Sequence, residues 1–195
     1  MLPDKYVLPV IILIIIQILG MIKNIRHKQI DSFFWLCEFS SGLLLIGFLT
    51  SNTQLIKAAI NTGFLPNLIS VIMLSFVVFF GVKVKAFEGT PEKGSFYVIV
   101  TYLIHLFSIN IALLYTAGIK ATSLSLIYGT IIYVLVFITS RSFTKPKNNV
   151  NFVWKDDILN VPNKYHKVLW FFVVIFVLIV PTYLLQNWIF HLINR

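Results

Sequence analysis

An all-α fold, a bundle of six transmembrane helices, is predicted by three observations on this 195-residue chain. Hydrophobic residues make up 58% and charged residues only 12%, with a mean hydropathy of +0.87. A water-soluble domain carries about a quarter charged residues, so this surface is too apolar for water but suits hydrocarbon on every side. Six separate apolar runs, at 6–22, 33–50, 64–82, 96–117, 121–140 and 168–190, lack Lys and Arg throughout. Each falls within the ~17–25 residues that cross a bilayer as helix. The basic residues between the runs alternate strongly in density from one loop to the next.

The first run could be mistaken for a secretory signal. It is long for such a segment, Asp4 sits in its leading region, and no small-x-small cleavage pattern follows Gly20, so it is expected to be a retained helix. Between the second and third runs, residues 51–63 are too polar to cross lipid. Leu55, Ile56, Ala59 and Ile60 could form one amphipathic or re-entrant turn there, before Pro66 near the start of the third helix. Pro181 is expected to kink the sixth helix by removing a bond to Val177. The whole chain, 1–195, reads as one transmembrane domain.

Charge fixes the expected orientation. With six alternating spans, one side receives twelve Lys and Arg residues and the other only Lys5, Lys57, Lys120 and Arg195. Cytoplasmic loops retain basic residues. A multi-pass protein of the cell membrane is therefore expected, with both termini outside and the loop 141–167 cytoplasmic. Trp35 and Trp170 at inner helix ends and Trp188 near the outer end of the sixth fit headgroup-level indoles. Trp154 falls in the long loop, in a stretch able to lie along the membrane surface.

The net charge of +9 is spread between apolar runs, which favours membrane lipids as partners over nucleic acid; whether a protein partner binds is left open by the sequence. One cysteine, Cys37, excludes an intrachain disulfide. No P-loop, HExxH or dinucleotide fingerprint occurs, so no cofactor or metal is expected.

Ionisable groups inside hydrocarbon are costly, which makes the few present informative. Glu38 is the one acid inside an expected span, and His105 the one histidine near mid-membrane. Counted from the inner end they lie roughly 8 Å and 14 Å deep at 1.5 Å per residue, close enough for a shared pocket. Glu38, Ser41, Gly42 and Leu45 share one face of the second helix, with Cys37 beside Ser41. Thr101, His105 and Ser108 form a stripe on the fourth, with Asn110 at its edge, and Tyr128 offers a wall on the fifth. Small and hydroxyl residues at this spacing also serve helix packing, and a buried cysteine also serves as a small hydrophobe. The spacing is compatible with both readings.

The stretch Trp35-Leu-Cys37-Glu38, the polar connection ending at Pro66, and His105-Leu106-Phe107 resemble a group of uncharacterised bacterial six-helix membrane proteins. Val150-Asn151-Phe152, Asn160 and Pro162 resemble that group's last cytoplasmic loop. The layout is also distantly similar to YwaF-like membrane proteins, whose eukaryotic relatives include a lipid acyltransferase. Glu38 stands where the bacterial pattern commonly has an uncharged polar residue. The resemblance implies Cys37 as acyl-accepting nucleophile and His105 as its base; the helix faces place Glu38, Ser41, Thr101, Ser108, Asn110 and Tyr128 around the pocket. Handling of a lipid or small amphiphile is thus the leading expectation. The alternatives are a small transporter or proton-coupled carrier, or a non-catalytic scaffold subunit.

Overall fold

The structure, a computed structural model, describes residues 3–83, 91–145, 150, 168 and 170–195. It is all-helical, with no strand among the described residues. Among the described residues six helices follow one another: α1 (Asp4–Arg26), α2 (Leu36–Leu49), α3 (Thr53–Phe80), α4 (Ser95–Thr116), α5 (Ser123–Phe143) and α6 (Trp170–Ile193). Five are long and apolar enough to cross a membrane. The exception is α2. Its 14 residues extend roughly 21 Å at 1.5 Å each, short of the ~30 Å hydrocarbon layer. The expected run 33–50 is therefore only partly helix two: Ile30–Phe34 forms a separate 3-10 turn, and Trp35 is extended. Most of the loop 141–167, with Trp154, lies outside the described residues, and Arg141 belongs to the last turn of α5.

The largest departure from expectation concerns residues 51–63. They form neither a re-entrant turn nor a surface helix; α3 starts at Thr53 and runs unbroken for 28 residues. The chain reverses in a tight turn. Ser51 takes a left-handed conformation at φ 53°, and the Asn52 side chain accepts a bond from Leu55 N–H at 3.0 Å, as an N-cap does. α2 and α3 then lie antiparallel in close contact. A Cβ on Gly47 would come within 2.7 Å of Ile56 Cγ1, and one on Gly63 within 2.3 Å of Ser40 Oγ. Glycine at both points lets the two backbones approach.

All eight residues 56–63 are buried, because α3 is the central helix and touches α2, α4, α5 and α6. The polar groups in this stretch are met by other helices. Lys57 Nζ donates to Thr116 O at 2.6 Å, at the carbonyl end of α4, where a cation is favoured. Asn61 Nδ2 donates to Ser125 O at 3.3 Å, and Gln186 Nε2 donates to Asn61 Oδ1 at 2.6 Å and to Lys57 O at 3.1 Å. A stretch too polar for lipid is thereby stable inside protein.

These contacts also set the helix directions. The bonds of Lys57, Asn61 and Gln186 gather at one end of the bundle. At the other end Lys23 meets Glu38, Tyr97 meets Gln29, and Ser140 Oγ donates to Phe34 O at 3.1 Å. Consecutive helices alternate, and the first turn of α1 shares an end with the last turns of α6. Outward faces are apolar: Leu8, Phe79, Leu114, Phe143 and Leu184 are all more than half exposed, as suits helices that meet lipid.

Two helices carry π-helical turns. In α4 the turn spans Leu103–Phe107 and contains His105. In α6 it spans Val174–Ile179, just before Pro181. Proline cannot donate to the carbonyl four residues back and its ring crowds that oxygen; the widened turn around Val177 absorbs both effects.

Candidate site in a groove between helices one and two

Glu38 lies in the first turn of α2 and Lys23 in the last turn of α1. The 3-10 turn brings these ends together. Lys23 Nζ is 2.6 Å from Glu38 Oε1, and Asn24 Nδ2 donates to Glu38 Oε2 at 2.6 Å. Both carboxylate oxygens are thus occupied, with Lys23 only 2% and Glu38 11% exposed. The partner of Glu38 is therefore Lys23, one residue beyond the expected span, and not His105. His105 is buried on α4, its Nδ1 2.7 Å from Thr101 O of its own helix.

A second polar chain lies one turn deeper. Gln17 Nε2 donates to Ser41 Oγ at 2.6 Å, and Ser41 Oγ donates to Ser108 Oγ at 2.8 Å. This joins α1, α2 and α4 through two of the expected pocket residues. The other expected residues are differently engaged. Thr101 Oγ1 donates to Tyr97 O at 2.7 Å. Asn110 is exposed and donates to Leu106 O. Tyr128 packs against the cluster around Tyr133, Val136 and Ala58. Cys37 is a buried free thiol, and Ser40 Oγ donates to its carbonyl at 3.0 Å. Among the described residues, no hydrogen bond links Cys37 Sγ to the His105 ring.

Beside these chains lies a half-open cavity of about 230 Å³. Ile16, Gln17, Gly20 and Met21 of α1 form one wall, and Glu38, Phe39, Gly42, Leu43 and Ile46 of α2 the other. Phe33 of the 3-10 turn and Ile104 of α4 complete the lining. Two glycines shape it. A Cβ on Gly42 would meet only Gln17 Oε1, 4.0 Å away, so the space in front of it is open. Gly20 lets Ile104 come close, 3.1 Å from where its Cβ would be. Met21 and Ile46 are each half exposed, so the groove opens sideways on the face where lipid would lie. Its walls are apolar except for Glu38 and Gln17.

Gln17, Lys23 and Asn24 were not anticipated as site residues. Gln17 is the one amide in the run 6–22, which is the signal that could have found it. Among the described residues, no group of three or more His, Cys, Asp or Glu side chains could hold a metal ion. No protein family, curated protein or solved structure matches the chain, so geometry and chemistry carry the functional reading.

Proposed function

We propose that this membrane protein binds an amphiphile, with an acyl segment in the α1–α2 groove and its polar end at Glu38 and Gln17. The observation that carries this reading is a sideways-opening apolar groove with its few polar groups gathered at defined points. Ligand pockets for whole drug-sized molecules run about 300–1,000 Å³. At about 230 Å³ this groove suits one chain segment, the rest of the molecule remaining in lipid. At that end Glu38 offers a carboxylate acceptor and Gln17 an amide to a headgroup, while Lys23 and Asn24 hold Glu38 in place from behind.

Binding in this groove does not require Cys37, which does not line it. Acyl transfer through Cys37 would be a further step on the same amphiphile, needing a thiolate with His105 as base.

The test is native mass spectrometry of the purified protein and of Gly42→Leu, whose side chain would fill the groove. The wild type is expected to retain amphiphile adducts and Gly42→Leu to lose most of them. Equal retention by a folded Gly42→Leu protein would overturn the reading.

A further inference from the structure

At the same end of the bundle, but on the side of α1 that faces α4, basic groups collect around one ring. Tyr97 is buried in the first turns of α4, and its hydroxyl donates to Gln29 Oε1 at 2.7 Å, which holds the ring still. Lys93 Nζ lies 4.6 Å and Lys23 Nζ 5.4 Å from the ring centroid. The His27 ring meets it edge-on at 5.0 Å. One turn away the Arg26 guanidinium is 6.0 Å from the centre of Phe96. Lys23 has its counter-ion in Glu38. Among the described residues, no carboxylate lies within salt-bridge distance of Lys93, Arg26 or His27.

This arrangement concentrates positive charge. Aromatic faces attract cations, so Tyr97 holds Lys93 and Lys23 near one another although their charges repel, and Phe96, the preceding residue, holds Arg26. Burial and the charge of Lys23 hold the Lys93 ammonium below the ordinary lysine range, with Glu92 opposing. An anion entering beside Lys93 would relieve that repulsion and form a charge-assisted hydrogen bond to it, with Arg26 on the neighbouring ring as a second donor. The cluster lies at helix ends, the level at which headgroup phosphates would sit beside a bundle of this kind.

We infer that Lys93, Arg26 and His27, arranged on Tyr97 and Phe96, form a binding site for a phosphate group. Its location favours the headgroup of an anionic lipid, and free phosphate presents the same chemistry. The site is separate from the groove between α1 and α2 and does not depend on it.

The test is thermal unfolding of the full-length protein in mixed micelles. Phosphatidylglycerol is compared with phosphatidylcholine, and inorganic phosphate with chloride at equal ionic strength. Phosphatidylglycerol is expected to raise the midpoint by about 5 °C, by linkage to the folded state. The rise should shrink to near zero in Arg26→Gln/Lys93→Gln and persist in Lys145→Gln, a rim lysine outside the cluster. A rise with inorganic phosphate that is lost in the double variant would assign the site to free phosphate. No rise with either, or an equal rise in the double variant, would overturn the proposal. If the double variant does not fold, Arg26→Gln, whose side chain is exposed, carries the same comparison. Gly42→Leu should keep the full rise, which separates this site's failure from that of the groove.

Discussion

Replacing Glu38 by Gln tests the ion pair that organises the groove's polar end. At the Lys23–Glu38 separation of 2.6 Å the gross attraction is ~6 kcal/mol at an effective dielectric of about 20. Desolvating both groups offsets much of that, so the pair itself contributes little net stability. Removing one partner is different. Lys23 is 2% exposed, and Glu38→Gln leaves its ammonium buried against a neutral amide, at a cost of about 3–5 kcal/mol. For a chain of this size that corresponds to a fall of roughly 6–20 °C in the unfolding midpoint. The assay is tryptophan fluorescence during heating in detergent. Lys23→Met combined with Glu38→Gln should recover at least half of the loss, because no buried charge remains unanswered. If Glu38→Gln costs less than about 1 kcal/mol, Lys23 reaches water in the folded protein and the buried pair is refuted. If the double variant is as unstable as the sum of both single variants, the two side chains do not interact.

Further expectations follow from other contacts. Gly63→Ala should destabilise by about 1–3 kcal/mol, since its Cβ would come within 2.8 Å of Ser40 Cβ and 2.9 Å of Ile109 Cδ1. Gly118→Ala, with nothing within 4 Å of its Cβ, should stay within about 0.5 kcal/mol of the parent; equal effects in the same melting assay would contradict the close α2–α3 packing. Cys37→Ala should retain amphiphile adducts at wild-type levels in native mass spectra, and their loss would tie Cys37 to binding. Single cysteines at Lys83 and Lys145, in a Cys37→Ser background, should resist an impermeant thiol reagent applied to intact cells, whereas one at Lys120 should react; labelling at either of the first two would reverse the expected orientation.

Much of the architecture was legible because hydrocarbon imposes a simple length rule. Runs such as 96–117 and 121–140 correspond to α4 and α5 within a few residues at each end. The site was less legible. Glu38 stood out as an acid in an apolar run, and it does line the groove. Its partner did not stand out, because Lys23 falls just past the apolar run and reads as a loop charge. Yet α1 continues to Arg26, and its last turn carries Lys23 and Asn24 inward to Glu38. Ser41 and Ser108 were expected to face an interior, and they bond to each other. Thr101 and Asn110 shared the same pattern but bond to their own helix backbone. Spacing alone does not distinguish these outcomes, since hydroxyl and amide groups bond equally well to a neighbouring helix or to the carbonyl four residues back.

Apolar length and composition by themselves determined that this chain is a bundle of membrane-compatible helices, because transfer to hydrocarbon is close to a sum over individual residues. The place of residues 53–63 was decided only by tertiary structure. Judged alone, Lys57, Asn61 and Thr62 are too costly for lipid and read as a loop. In the folded chain Lys57 is answered by Thr116 and Asn61 by Ser125 and Gln186, partners 59, 64 and 125 residues away. Whether a polar group is tolerable in a dry interior depends on whether another group meets it there. That is a property of pairs distant in sequence, which only the packing of the helices brings together.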